Sequence, residues 1–190
     1  ETFFLENCNE FAELVRTGDL DFLLLRPVDE QFLITCRKID WGTGPNVLMG
    51  LGVMLFSLNK MGWHFDPVRT LVFLATFACG VVIAYSFMLL LTSLSVLMVR
   101  NQSLMEMWWL FSSLARYPKE IFRNTWAEPV GSFFTYILPI LLVVNVPANA
   151  MVRVLDPAMV GYTLVSTALV FWLSRRFFYR ALRSYRSASS

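Results

Sequence analysis

The chain has 190 residues, 56% of them hydrophobic and only 16% charged, with a formal net charge of +2 and a mean hydropathy of +0.55. Soluble domains average roughly 45–50% apolar residues, so this balance excludes an ordinary water-soluble domain. A charge this close to neutral gives no case for nucleic-acid binding.

At the start of the chain, Phe4, Cys8, Phe11, Ala12 and Val15 fall on one face at helical spacing, with Glu6, Glu10 and Glu13 off it. This predicts an amphipathic helix up to Arg16. Gly18 suits the left-handed residue that ends a helix. Asp19 can cap a second, short helix, with Asp21 favourable near its N-terminus. Leu20, Leu23 and Leu24 share one side of that helix. Pro27 has no amide hydrogen and disfavours helix at Arg26, so the helix stops there. A further helix is expected to begin near Asp29.

The charges are clustered, which leaves uncharged windows at Trp41–Asn59, Thr70–Val99, Pro129–Val152 and Pro157–Ser174. A hydrocarbon core about 30 Å thick is crossed by roughly 20 helical residues. The windows predict an all-α polytopic membrane protein with four spans, at about 41–59, 70–99, 129–148 and 158–174. Apolar residues fill them without the alternation that a barrel requires. The first span carries Gly50 and Gly52. The loop after it holds Trp63, His64 and Phe65, an interfacial set. His64 is the sole histidine and has no acidic cluster near it to make a metal or catalytic site. In the second span, Gly80 and Ala84 stand at small-xxx-small spacing, which permits close helix approach. Its hydroxyls at Thr76, Tyr85, Ser86, Thr92, Ser93 and Ser95 either line a path or, the more usual arrangement, bond back to helix carbonyls.

Between the second and third windows, Leu104, Met107, Trp108, Phe111 and Leu114 form a stripe that suits a helix lying in the membrane interface. Tyr117-Pro118 ends it. In the third span, Pro139 should kink the helix and free a carbonyl. Pro147 and Asp156-Pro157 are expected to bound a short segment after it. The fourth span is followed by a basic tail, 175–190, with interleaved aromatics, expected to anchor at lipid headgroups or to bind an anionic lipid or partner.

Four spans place both ends on one side. That side collects Arg16, Arg26, Arg37 and Lys38, then Arg100, Arg116, Lys119 and Arg123, then Arg175, Arg176, Arg180, Arg183 and Arg186. The other side has Lys60, Arg69 and Arg153. Lys and Arg concentrate in cytoplasmic loops, so both ends should face the cytoplasm. The sequence has no phosphate-binding loop, no GxSxG, no HExxH and no CxxC. Cys8, Cys36 and Cys79 form no framework. The four windows contain no ionisable Asp, Glu, Lys, Arg or His, which argues against an ion-coupled carrier. Uphill transport would then draw its energy from another subunit.

Three motifs stand in order along the chain. They are Val15-Arg16-Thr17-Gly18-Asp19-Leu20-Asp21-Phe22-Leu23-Leu24-Leu25-Arg26-Pro27, ARYPKEIF from Ala115 to Phe122, and ILPILLVVNVPA from Ile137 to Ala148. With these the chain resembles the membrane-spanning permease subunits of type-2-class ABC exporters. The likeness is to an uncharacterised bacterial branch with the hallmark V-R-T-G-x-L-D-x-L-L-x-R-P. The resemblance implies a non-catalytic permease in the bacterial inner membrane, with six spans in the complete subunit and two N-terminal spans outside this sequence. It implies that the helix from Gly18 to Pro27 is a cytoplasmic coupling element. Arg16, Gly18, Leu20, Asp21, Leu23, Leu24, Arg26 and Pro27 would then meet an ATP-binding subunit, which carries the ATP and Mg. It also implies a second permease chain, identical or related, across the transport path. Two other expectations stand beside it: a membrane scaffold without transport, and a coupling segment that is only a loop helix packed under its own bundle.

Overall fold

The computed structural model describes residues 4–25, 27–35, 37–38, 40–62, 64–98, 102–117, 121, 128–137, 139, 141–152 and 156–184. Every regular element among them is helical, with no strand among the described residues. They divide into two compact units, one up to Asp66 and one from Pro67 to Ser184.

The first unit contains α1 (Leu5–Thr17), α2 (Leu20–Leu24), α3 (Glu30–Thr35) and α4 (Gly44–Lys60), the last entered through a 3₁₀ turn at Trp41–Thr43. Helices α1, α2 and α3 pack on one another. The amphipathic pattern of α1 is realised, since Phe11 is fully buried and Val15 nearly so. Gly18 ends α1 with φ 84°, and its N–H donates to the Leu14 carbonyl. Asp19 departs from expectation. Its carboxylate accepts from the Thr17 hydroxyl at 2.8 Å and caps nothing on α2. Asp29 does cap, accepting the Phe32 amide at 3.1 Å at the start of α3. Before α4, the Asp40 carboxylate accepts the Gly42 amide at 2.8 Å. Helix α4 has 17 residues and buries none of its described side chains. Val47, Leu48, Met49, Leu51, Val53, Leu55 and Phe56 all stand exposed, as apolar side chains facing lipid or protein would.

The second unit is built on α5 (Pro67–Met98), 32 residues long, or about 48 Å at 1.5 Å per residue. It packs along α8 (Leu142–Val152) and α9 (Pro157–Ser184), with α6 (Gln102–Ala115) against its end. Helices α5 and α9 are long and apolar enough to cross a membrane. The small hydroxyls described on both helices take the back-bonded arrangement, while the Ser95 side chain lies outside those described. Thr76, Ser86, Thr92 and Ser93 on α5, and Thr163, Ser166, Thr167 and Ser174 on α9, are buried. Each donates to a carbonyl one turn back, at 2.6–3.1 Å. Small hydroxyl side chains spent on their own backbone let the two helices approach closely.

The third predicted span is a broken element. It runs as α7 (Glu128–Ser132), a π-helical stretch at Phe133–Ile137, a turn around buried Pro139, and α8. Pro147 differs from expectation, because it lies inside α8 and does not bound it. A proline there leaves the carbonyl four residues back, that of Val143, without its helical partner. That carbonyl faces Gly80 of α5, where a Cβ would lie 2.7 Å from the Val143 oxygen. Glycine is therefore required at this crossing. Asn145, buried in the first turn of α8 just after the break, donates to the Leu141 and Tyr117 carbonyls at 2.8 and 3.1 Å. The stripe on α6 is not wholly free for the membrane interface, although Met107 on it is exposed and the side chain of Leu104 lies outside those described. Trp108 and Phe111 are buried, and Phe111 stacks on Phe87 of α5 at 4.0 Å and on Trp108 at 5.5 Å. Met107, Trp109 and Leu110 are the exposed set on that helix. The fourth helix does not end at Ser174 but continues to Ser184, because nothing in 162–184 breaks it. Pro118, Arg123 and Arg153, and the tail beyond Ser184, lie outside the described residues.

Candidate functional site

The segment singled out by sequence, Arg16 to Pro27, is held by α1 and α3 on either side of it. Leu20 is fully buried and Leu23 is 9% exposed, while Leu24 and Asp21 are half-buried. The leucine side of α2 thus faces its own unit. Burying a leucine contributes about 1.5–3 kcal/mol, so Leu20 and Leu23 hold α2 in place and are not available to fill a partner's groove. The opposite side is open. Phe22 is 73% exposed and Leu25 81%, and Val28 and Phe32 are exposed beside them along the chain. Pro27 is exposed at the bend that ends the helix. Arg26 lies outside the described residues, and of Arg16 only its backbone place in α1 is described.

A residue that sequence reasoning passed over organises the whole layer. Asn7 on α1 is 3% exposed. Its amide donates to the Thr35 carbonyl at 3.1 Å and the Lys38 carbonyl at 2.8 Å, and its oxygen accepts the Lys38 amide at 2.9 Å. The last carbonyls of a helix have no partner within it, so Asn7 caps the C-terminus of α3 from a distance. Glu10, one turn along α1, adds ion pairs to Lys38 at 3.0 Å and Arg37 at 3.5 Å. These are partly exposed pairs, worth about 0–1 kcal/mol, and they align the two helices more than they stabilise them. Only the polar step from Asn7 to Asn9 hints at this role, as a break in the apolar face of α1. The arrangement is a small braced platform with apolar side chains pointing away from it. Among the described residues no three His, Cys, Asp or Glu side chains gather in one place.

A family model described as ABC-2 family transporter protein matches residues 1–189. The chain belongs to that family. It is a membrane protein and a permease component of an ABC transporter, of a type that is generally non-catalytic and works with an ATP-binding subunit. No curated protein and no solved structure matches this ABC-2 permease. Family membership gives the braced platform a context, since permeases of this family generally partner with an ATP-binding subunit.

Proposed function

We propose that this ABC-2 permease forms half of the membrane pathway of an ATP-driven exporter and that its α1–α3 platform docks on the ATP-binding subunit. Four elements span the bilayer in this reading: α4, α5, the broken α7–α8 element and α9. Both ends face the cytoplasm, following the Lys and Arg distribution, in the bacterial inner membrane. A second permease chain completes the path, and ATP with Mg stays on the ATPase.

The observation that carries the docking reading is the sidedness of α2. Its inner leucines are used within the platform, and Phe22 and Leu25, with Val28 and Phe32, are left bare on a braced support. A rigid layer with outward apolar pegs transmits displacement, whereas a loose loop absorbs it. Gly18, at φ 84°, sets the angle at which α2 leaves α1. Asp21 and the arginines at 16 and 26 would orient the contact through ion pairs with the ATPase.

Co-purification tests this. Leu25→Asp should place an unpaired charge in the interface and release the ATPase while the permease still folds. Leu20→Asp should instead disrupt the platform itself. An ATPase that stays bound to the Leu25→Asp permease with unchanged transport-coupled turnover overturns the docking surface. A native complex with no nucleotide-hydrolysing subunit favours the scaffold alternative.

A further inference from the structure

The broken third element has two sides of different character. Gly131, Thr135 and Pro139 are buried, and the Thr135 hydroxyl donates back to the Gly131 carbonyl at 2.7 Å. Val130, Phe133 and Tyr136 are 43%, 42% and 56% exposed. That exposed row ends in a phenol. Its ring meets the ring of Tyr162 on α9 edge to face, with centroids 5.5 Å apart. Continued π-helical winding would send the Leu141 amide to the Tyr136 carbonyl, but that amide donates to the Phe134 carbonyl at 3.2 Å. The Tyr136 carbonyl is taken by the Tyr162 hydroxyl at 2.8 Å. The Tyr136 hydroxyl itself has no hydrogen-bond partner among the described residues.

Depth gives that hydroxyl its meaning. Leu141 leads into α8, whose Val143 lies against Gly80 of α5. Gly80 is 11 residues from Arg69, the charge that closes the α5 window, or about 16 Å at 1.5 Å per residue. Half of a hydrocarbon core is about 15 Å, so the break stands near mid-bilayer. A tyrosine at the membrane surface turns its polar tip to water, but one at this depth cannot reach the surface. Turned to lipid, an unpartnered hydroxyl carries the full cost of its desolvation. Open backbone at this depth is likewise tolerated only where protein buries it or where it lines a water-filled cavity.

We propose that the row Val130, Phe133 and Tyr136 lines the transport path near mid-membrane and forms a cargo subsite there, with the Tyr136 hydroxyl as its polar contact. This deepens the permease reading and rests on it, with the α7–α8 element taken as a span. The row offers two apolar side chains, a ring face and one hydroxyl donor, and no ionisable group. It suits an amphipathic molecule whose apolar body lies along Val130 and Phe133 and whose acceptor oxygen meets the Tyr136 hydroxyl. A small inorganic ion would find no counter-charge in the row.

The test uses the full permease with its ATPase in proteoliposomes, with Cys8, Cys36 and Cys79 replaced by serine. A membrane-impermeant, ammonium-bearing methanethiosulfonate reacts with the thiolate, which needs water around it. Tyr136→Cys should react at least about tenfold faster than Val165→Cys, on the exposed apolar side of α9, or Thr135→Cys, on the buried side of the broken element. Equal rates overturn the path. A disulfide joining two permease chains through Tyr136→Cys, without labelling, marks a dry contact between copies and also overturns it. The cargo class is read with Nile red, a neutral aromatic amphiphile with a carbonyl acceptor. Nile red should stimulate ATP turnover by the unsubstituted complex. Tyr136→Phe should raise its half-maximal concentration roughly 2- to 12-fold, the worth of one hydrogen bond. Absent stimulation, or an unshifted Tyr136→Phe complex, overturns the cargo assignment. Bound ATPase is scored in parallel. An unsubstituted permease that holds no ATPase fails the permease reading, whereas a bound ATPase with an unreactive Tyr136→Cys fails the subsite alone.

Discussion

Replacing Asn7 with alanine tests whether α1–α3 is a platform or a loose collection of helices. The change removes two donated bonds and one accepted bond, at 3.1, 2.8 and 2.9 Å. The Thr35 carbonyl sits in a buried residue and loses this donor without ready access to water, which costs about 1–3 kcal/mol. Lys38 is exposed, so its amide and carbonyl are rehydrated, and each lost bond there costs about 0.5–1 kcal/mol. The sum is about 2–5 kcal/mol. Amide hydrogen exchange of the purified permease reads this directly. Residues 30–38 should open roughly 30- to 4,000-fold more often in Asn7→Ala, since each 1.4 kcal/mol is tenfold. The amides of α5 and α9 should be unaffected. Asn7→Asp should not rescue, because it turns both donated bonds into carboxylate–carbonyl contacts. If exchange over residues 30–38 is unchanged in Asn7→Ala, the brace is not what holds α3, and the transmission reading of the platform fails with it.

Three further substitutions probe other joints. Gly80→Ala should destabilise the second unit by about 1–3 kcal/mol, because its Cβ would sit 2.7 Å from the Val143 oxygen. Thermal unfolding in detergent measures this, and an unaltered midpoint would show that α5 and α8 do not cross there. Gly18→Ala forces a side chain into φ 84° at a cost of about 1–2 kcal/mol. Gly18→Asn should cost less, and equal stability of all three proteins by the same measurement contradicts a left-handed cap. Leu25→Asp and Leu20→Asp should separate cleanly, the first losing the ATPase with a normal melting profile and the second losing the profile itself. Identical behaviour of the pair would mean that α2 has no inner and outer side.

Local features with strong steric causes were legible in advance. Gly18 ends α1 in the left-handed conformation because no other residue adopts it cheaply, and Pro139 falls in a break of the third span. The Gly80–Ala84 spacing announced a close crossing, though not its partner. Pro147 shows the limit of this reasoning. A proline reads as a helix boundary, yet α8 continues through it, because the freed Val143 carbonyl is accommodated against Gly80, 63 positions earlier in sequence. The helix of the fourth span outruns its apolar window for a different reason. Loss of hydropathy at Ser174 marks where the apolar surface stops, but helix formation is a backbone matter, and arginine sustains it well.

The order of uncharged windows, the clustering of arginines and the ordered motifs were enough to establish a helical membrane permease, because the bilayer permits few other ways to satisfy the backbone. The direction in which each apolar face turns was not contained there. Leu20 and Phe22 are equally apolar, and only the packing of α1 and α3 decides that one is interior and the other bare. Asn7 meets Thr35 and Lys38 from 28 and 31 residues away, a relation that periodicity cannot carry. Local patterns record what a segment needs to bury, and only the assembled fold decides what buries it.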